Sequence, residues 1–250
     1  MAYLVVEDMV SNAVGAYTEL RRDSMHEVHV ATDLREGISL LSKYRYHAML
    51  VDILFQEHSR EFQQRLRSRK VTLGDPELHL SGLALVHAAR RLPQGPKCVL
   101  WTTGDDNRHL HLRFAYEELG VRAFCSKSNT RQLVRAMEHA TAGEEFIDPP
   151  LAMYVSGSSG LQVRDLLLDD PTKLKIWRLH ALGIHRQQKI AKEVGLTYGA
   201  TRTAIGAMRR KLGRFDSGLD AENSPGGEII RYSAQNWEFL LDDTVKRMYP

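Results

Sequence analysis

The chain has 250 residues, which is enough for one or two domains. Hydrophobic residues make up 43% of it and charged residues 26%, as in ordinary globular proteins. No apolar run is long enough to span a membrane, and the first residues lack the basic and apolar regions of a signal peptide. These features exclude a membrane protein and indicate a cytoplasmic one.

The net charge of +3 is distributed unevenly along the chain. Residues 1–150 contain 19 Lys/Arg and 20 Asp/Glu, whereas residues 171–214 contain 11 Lys/Arg and a single acid, Glu193. A near-neutral segment followed by a strongly basic one is typical of a control domain joined to a nucleic-acid-binding domain. The two cysteines, Cys98 and Cys125, lie in apolar runs, which favours buried thiols over a disulfide or a metal pair.

In residues 1–148, short apolar runs alternate with amphipathic segments. We predict strands at 3–6, 27–31, 47–51, 98–101 and 122–126. The predicted helices cover 13–22, a segment capped by Asp33, 83–92, 108–119 and 130–142. Five strands alternating with five helices indicate an α/β fold, namely a doubly wound five-stranded parallel sheet of the flavodoxin-like type.

Polar residues directly follow four of these strands: Glu7-Asp8, Asp52, Thr102 and Lys127. In open parallel sheets the carboxyl ends of the strands share one edge, where ligands bind. Three carboxylates gathered there repel one another unless a hard divalent cation neutralises them, and Mg²⁺ accepts such ligands. The pattern therefore predicts a cation-binding site facing a hydroxyl group and a lysine.

The order and spacing of these residues resemble a response-regulator receiver domain over residues 1–148. Lys127 lies seven residues beyond Gly120, and Phe124 holds the aromatic position before that lysine. The resemblance implies that Asp52 accepts a phosphoryl group from a histidine kinase. It also implies that Glu7, Asp8, Asp52 and the carbonyl of Leu54 bind Mg²⁺, and that Thr102, Lys127 and Phe124 sense the phosphoryl group.

Three features depart from the receiver pattern. Residues 55–80 form a basic insertion without the proline expected after the phosphoacceptor, which is either a solvated loop or a partner surface or lid over Asp52. Thr103-Gly104 stands where the family has a small Ala next to the Thr, which adds bulk near the phosphoryl group. Asp105-Asp106 lengthens the following loop and adds negative charge, or caps the next helix.

Residues 149–165 are predicted to be a linker, stiffened by Pro149-Pro150 and flexible at 156–160. Asp170-Pro171 then opens a helix that ends at Gly183, a second helix covers 186–194, and Thr197 caps a third that lasts to Leu212. Two helices joined by a glycine-containing turn form a helix-turn-helix pattern. Residues 166–214 resemble the DNA-binding domain of the NarL/LuxR class, although Ala200-Thr201 replaces the usual start of the recognition helix.

In the third helix, periodicity places Thr201, Ile205, Met208 and Leu212 toward the core. On the opposite face, Arg202 is the best candidate to read bases, and Thr203 is a weaker one. The expected phosphate contacts are Lys189, Thr197, Arg209 and Arg210. Residues 215–250 extend beyond the resemblance, and 233–248 is predicted to be one amphipathic helix that docks on its own domain or on a dimer partner.

These features predict a transcriptional regulator that binds an operator as a homodimer under control of Asp52 phosphorylation. The alternative is an atypical regulator that binds DNA independently of phosphorylation, controlled by a ligand or protein partner. We expect no enzymatic activity, because aspartate-based phosphatases need a second acid two residues after the nucleophile, where this chain has Leu54. A pure protein-interaction adaptor is disfavoured by the basic segment.

Overall fold

A computed structural model describes residues 1–22, 26–75, 78–104, 108–156, 160–215 and 227–250. These residues form two compact units. Unit 1 comprises residues 1–60 and 80–156, and unit 2 comprises residues 61–79 and 157–250. Most of the sequence insertion therefore groups with the C-terminal residues. No helix among the described residues is long and apolar enough to cross a membrane.

The sheet of unit 1 has six parallel strands in the order β2-β1-β3-β4-β5-β6. The strands are β1 (Ala2–Val6), β2 (Glu27–Ala31), β3 (Ala48–Asp52), β4 (Lys97–Thr102), β5 (Ala123–Ser126) and β6 (Phe146–Ile147). The five predicted strands are present. The sixth strand was not predicted, because two residues are too few to show a periodic pattern. It is attached to β5 by a hydrogen bond in which the backbone amide of Phe146 donates to the carbonyl of Arg122 at 2.9 Å.

The helices of unit 1 cover the two faces of this sheet, as the doubly wound pattern requires. They are α1 (Val10–Arg22), α2 (Leu34–Lys43), the first turns of α3 (Gln56–Arg67), α4 (Leu83–Arg90), α5 (His109–Glu117), α6 (Arg131–Ala142) and α7 (Pro149–Ser156). Asp33 caps α2 as predicted, because its carboxylate accepts the amide of Glu36 at 2.8 Å. Gly143 ends α6 in the left-handed conformation, with φ 77°.

Two segments of the chain are helical where no helix was predicted. The insertion contains α3, and the predicted linker begins with α7, since Pro149 and Pro150 occupy the first helical positions, where a missing amide costs nothing. Residues 157–159 of the predicted flexible stretch lie outside the described residues.

The prediction of buried thiols holds for Cys125, whereas Cys98 is half-buried. Neither forms a disulfide, and burial raises the pKa of Cys98 and of Cys125 to about 12. Both thiols are therefore expected to be protonated at neutral pH.

Unit 2 contains the three helices of the predicted helix-turn-helix domain and the tail. Its elements are a π-helical turn (Arg164–Leu168), α8 (Pro171–Ala181), α9 (Gln187–Val194), α10 (Tyr198–Phe215), α11 (Gly227–Gln235), α12 (Trp237–Leu240) and α13 (Asp243–Met248). Asp170 caps α8 by accepting the amides of Thr172 and Lys173 at 3.0 and 3.1 Å. Gly195 ends α9 with φ 71°, which makes the turn before α10.

The prediction of one amphipathic helix over 233–248 was wrong. The described part of the tail has three short helices that are separated at Asn236 and at Asp242, which starts the last helix by accepting the amides of Thr244 and Val245 at 2.8 and 3.2 Å. The tail docks on the helices of its own unit. Tyr232 packs against Trp177 of α8 with ring centroids 5.6 Å apart, and Arg178 donates to the carbonyls of Leu240 and Tyr249 at 3.3 and 2.9 Å.

Candidate functional site

Three acidic side chains meet at the carboxyl edge of the sheet. Glu7 and Asp8 follow β1, and Asp52 ends β3, which lies beside β1 in parallel register. One oxygen from each carboxylate lies within 4.8 Å of the others. Glu7 is fully buried, and Asp52 is only 3% exposed. The strand order therefore brings together the acids that the sequence separates by 45 residues.

Lys127 is the cation that faces these acids. It follows β5, and its Nζ lies 2.7 Å from Oε2 of Glu7 and 2.7 Å from Oδ2 of Asp52. The ammonium group also lies 5.4 Å from the centre of the Trp101 ring, which shields it from water. One lysine therefore bridges two buried carboxylates, so two negative charges face one positive charge even before Asp8 is counted.

Three carboxylate oxygens of the cluster have no hydrogen-bond partner among the described residues: Oε2 of Glu7, Oδ1 of Asp52 and Oδ1 of Asp8. Oε2 of Glu7 forms an ion pair with Lys127, which leaves the two Oδ1 atoms free. The other oxygen of Asp8 accepts the amide of Gln56 at 2.6 Å, which orients the side chain. Free, buried, negatively charged oxygens are suited to a hard divalent cation, because burial without a partner costs several kcal/mol, about 2–7 for a polar group.

The electrostatics of the cluster raise the affinity of Asp52 for a proton. Burial raises the pKa of Asp52 to about 6; the nearby charge of Glu7 raises it as well, while Lys127 and Arg108 lower it. Desolvation and the neighbouring acid therefore outweigh the two cations. The ionised form of Asp52 is therefore electrostatically destabilised, and an additional cation nearby would stabilise it.

Thr102 lies in β4, the strand beside β3, and Phe124 lies in β5, the next strand of the sheet. Thr102 ends β4 with no exposed surface, and its Oγ1 has no hydrogen-bond partner among the described residues. Its carbonyl accepts the amide of Lys127 at 2.9 Å, which ties the two strand ends together. Phe124 is fully buried in β5 and packs against Tyr116 with ring centroids 6.2 Å apart. In this structure its ring is thus part of the core.

Sequence reasoning missed two residues of this site. Arg108 comes six residues after β4, and its charge acts on Asp52. Asn12, in the first turns of α1, donates from Nδ2 to Oε1 of Glu7 at 3.3 Å. A cation shortly after a functional strand was a usable signal for Arg108, whereas Asn12 carried none. The predicted effect of Asp105-Asp106 lies outside the described residues.

The insertion leaves and re-enters unit 1 next to Asp52. Near its start, the amide of Gln56 donates to Asp8, and just after its end, the amide of Gly82 donates to the carbonyl of Ile53 at 2.8 Å. A Cβ atom at position 82 would lie 2.0 Å from the backbone oxygen of Asp52, so only glycine fits there. Both ends of the insertion are therefore attached directly to the acidic site.

The helix-turn-helix of unit 2 places most of its predicted contact residues on the surface. The core face of α10 is as predicted, with Thr201, Ile205, Met208 and Leu212 all buried. The exposed residues are Lys189, Thr197, Arg202, Thr203 and Arg210. Thr197 also caps α10, since its Oγ1 accepts the amide of Ala200 at 3.2 Å.

Arg209 differs from the prediction. Its Nε and Nη2 donate to the two carboxylate oxygens of Glu228 at 2.6 and 2.9 Å, and Glu228 is only 8% exposed. This two-pronged ion pair commits the guanidinium to holding α11 against α10. We therefore remove Arg209 from the set of phosphate contacts; its partner lies beyond the helix-turn-helix and could not be identified from the basic segment.

No protein-family model and no curated protein matches the chain. Several solved structures of RcsB, a response regulator, are similar to it. One is RcsB from Salmonella enterica serovar Typhimurium bound to a promoter in the presence of the phosphomimetic BeF3⁻, with a TM-score of 0.59 and 17% identity over 94% of this chain and 98% of that chain. Another contains two RcsB dimers bound to two parallel DNAs, with a TM-score of 0.57 and 18% identity over 94% and 98%. A third, from Salmonella typhimurium, has a TM-score of 0.56 and 17% identity over 93% and 98%.

At these identities the likeness shows the fold. The chain shares the fold of these structures, with a parallel α/β unit and a helical unit that contains a helix-turn-helix, and the predicted fold class is confirmed.

Proposed function

We propose that this chain is a DNA-binding response regulator whose receiver is phosphorylated on Asp52. The observation that carries the proposal is the state of this side chain. Asp52 is almost fully buried, with one oxygen bound to Lys127 and the other free of any hydrogen bond among the described residues. A carboxylate held by one oxygen while the other stays available is suited to act as a nucleophile.

In this reaction, Oδ1 of Asp52 attacks the phosphorus atom of a phosphohistidine on a histidine kinase. The new Oδ1–P bond forms as the P–N bond breaks, and the electron pair of that bond leaves with the imidazole. Such transfers depend mainly on positioning and on neutralising the phosphoryl oxygens. Lys127 supplies one positive charge at 2.7 Å from Asp52, and the unpartnered hydroxyl of Thr102 supplies a hydrogen-bond donor.

Glu7, Asp8, Asp52 and the carbonyl of Leu54 are the proposed ligands of Mg²⁺. The free oxygen of Asp8 fits this ion, which favours a few carboxylates together with water and phosphate oxygens, and Asp52 would bind it through Oδ2, the oxygen that does not attack phosphorus. When bound, Mg²⁺ neutralises charge on the carboxylates and on the incoming phosphoryl group. The ion would also offset the repulsion between Glu7 and Asp52.

The proposed response is binding of double-stranded DNA by a homodimer. Arg202 is the candidate for reading bases, with Thr203 beside it, and Lys189, Thr197 and Arg210 are the candidates for phosphates. All five are exposed on unit 2. Two of the RcsB structures contain DNA, and one of these two contains RcsB dimers, which supports the same role here. Phe124 would report the phosphoryl group only if its ring leaves the core.

One observation favours a second candidate, a regulator that works without phosphorylation. Lys127 already forms ion pairs with both Glu7 and Asp52, so this lysine alone partly neutralises the site. In that case a ligand or a protein partner controls DNA binding. The two candidates differ in whether Asp52 gains a phosphoryl group.

Intact-mass measurement separates them. The chain is incubated with a small acyl-phosphate donor and Mg²⁺, and the same reaction is run with Asp52→Asn and with EDTA. The first candidate predicts a mass gain of one phosphoryl group that is lost in both controls. A native chain that gains no mass, although it binds duplex DNA, supports the second candidate.

A further inference from the structure

The insertion is built into unit 2. Phe62, in the second half of α3, stacks on Trp237 of the tail with ring centroids 5.4 Å apart and planes 3° from parallel. His79 accepts the amide of Asp243 at 2.7 Å and donates its own amide to the carbonyl of Leu241 at 2.8 Å. Lys246 donates from Nζ to the carbonyl of Asp75. Residues 61–79 are therefore held by the tail at both ends rather than left as a free loop.

Between these anchors, α3 ends in an unusual way. The amide of Arg69 donates to the carbonyl of Leu66 at 3.0 Å, and the amide of Lys70 donates to the carbonyl of Arg65 at 3.0 Å. This pair of hydrogen bonds is a Schellman motif, which requires a left-handed residue and usually has glycine there. The residue is Arg69, with φ 54°, the one non-glycine residue with positive φ among the described residues. An arginine thus occupies a position where glycine would be less strained.

Arg69 lines a cavity of about 760 Å³ together with residues of the helix-turn-helix. The lining includes the buried Leu179 and the cations Lys175, Arg186 and Lys189. Glu193 is the one acid among the described residues of the lining. Four cations from two separate stretches of sequence therefore converge on one groove, and each of them is exposed.

The place of this groove in the domain indicates its occupant. Arg186 and Lys189 lie at the start of α9, which is the first helix of the helix-turn-helix. In such motifs the first helix crosses the sugar–phosphate backbone while the second lies in the major groove. A groove rich in arginine and lysine beside the first helix is complementary to a DNA phosphate.

We infer that the insertion supplies a DNA contact, in which Arg69 binds a backbone phosphate beside those bound by the start of α9. This inference rests on the proposed DNA binding and extends the contact surface beyond the helix-turn-helix to a segment that interrupts the receiver sequence. The contact is electrostatic and independent of base sequence. The chain has arginine at this strained left-handed position because its side chain binds the phosphate, whereas the turn itself would be less strained with glycine.

Replacement by glycine separates these two roles of position 69. Arg69→Gly relieves the left-handed backbone, so the melting temperature is expected to stay the same or rise by about 2–4 °C. Loss of one phosphate contact is expected to lower the slope of log affinity against log salt by about 0.9. Relative to about 1 M salt, this slope corresponds to an affinity loss of about eightfold at about 0.1 M, for any duplex sequence.

The experiment measures binding of the full chain to a duplex of random sequence across a salt series. Arg69→Lys keeps the charge and is expected to restore the slope, whereas Lys43→Gln, at an exposed position of unit 1, removes one charge elsewhere and is expected to leave it unchanged. A larger decrease of the slope in Arg69→Gly than in Lys43→Gln, without a decrease of the melting temperature, supports the contact. Native-like affinity and slope in Arg69→Gly overturn it while leaving the proposed function intact. Absence of salt-dependent DNA binding by the native chain overturns both.

Discussion

Replacing Asp52 by Asn is expected to stabilise unit 1 when no divalent cation is present. The side chain is 3% exposed and shares its site with Glu7 and Asp8. Asparagine is almost the same size and keeps a hydrogen-bonding oxygen for Lys127. The substitution therefore removes a buried charge with little change in packing, and Glu7 still pairs with Lys127 at 2.7 Å.

The size of the effect follows from the pKa of Asp52, which is about 6 in the folded chain and 3.8 in the reference state. Below about pH 4, both the folded and the unfolded chain hold the proton, so Asp52 adds no difference. Between pH 4 and 6 only the folded chain keeps it, and stability falls as the pH rises. At about 1.4 kcal/mol per pKa unit, the loss above pH 6 amounts to about 3 kcal/mol. The weakened ion pair with Lys127 reduces the net gain from Asp52→Asn to about 1–3 kcal/mol at pH 7.

Hydrogen exchange of the β3 amides in EDTA measures this gain, since these core amides exchange through unfolding of unit 1. Glu145→Gln makes the same charge change at an exposed position and serves as the control. We expect Mg²⁺ to reduce the difference in β3 exchange rate between the native chain and Asp52→Asn, because the ion stabilises only the native chain. Equal or faster β3 exchange in Asp52→Asn at pH 7 would show that the carboxylate is not strained in the folded site.

Three further predictions concern other parts of the chain. Gly82→Ala places a Cβ 2.0 Å from the Asp52 carbonyl and is expected to destabilise unit 1 by at least ~2 kcal/mol in urea unfolding. Gly15→Ala, which has open space around it in α1, is expected to stabilise unit 1 by about 0.5–1 kcal/mol. Equal effects of the two substitutions would refute the clash at position 82. Burial and the neighbouring His185 lower the pKa of His180 to about 4. Unit 2 is therefore expected to lose up to about 3 kcal/mol of stability as the pH falls from 6.5 to 4. His180→Leu is expected to reduce this dependence of the melting temperature on pH. Arg202→Ala is expected to reduce discrimination between operator and random DNA by about 1–3 kcal/mol, whereas Arg210→Ala weakens both equally; the reverse pattern in competition binding would exchange their roles.

The strand-end site could be predicted because each of its residues is marked locally. Asp52 ends an apolar run, and Lys127 follows another, so position along the chain determines which edge of a parallel sheet each reaches. The order of the strands then brings them together, and Lys127 lies within 2.7 Å of Asp52.

The insertion and the tail could not be predicted because each is completed by the other. Phe62 is an isolated aromatic residue in a polar stretch, and its partner Trp237 lies 175 residues further along the chain. The ion pair of Arg209 with Glu228 has the same origin. Hydrophobic periodicity detects a face that packs on a continuous core, whereas these contacts depend on pairing between distant segments.

The break of the tail into three helices has a different cause. The apolar spacing of Trp237, Leu240, Leu241 and Val245 fits one helix and therefore predicts a continuous one. Asp242, however, lies where its carboxylate accepts two amides of the next turn, and this local hydrogen bonding competes with a continuous helix. A capping residue inside an apolar pattern therefore indicates a helix start that hydrophobic periodicity alone does not detect.

The most direct test of the account is a beryllofluoride titration of the full chain with and without Mg²⁺. Oligomeric state and affinity for a duplex selected in vitro are followed together, and Asp52→Ala serves as the control. The account predicts a Mg²⁺-dependent shift to a dimer with tighter DNA binding, which is absent in Asp52→Ala. A native chain that binds the duplex equally well in all conditions would contradict phosphorylation of Asp52 as the controlling event.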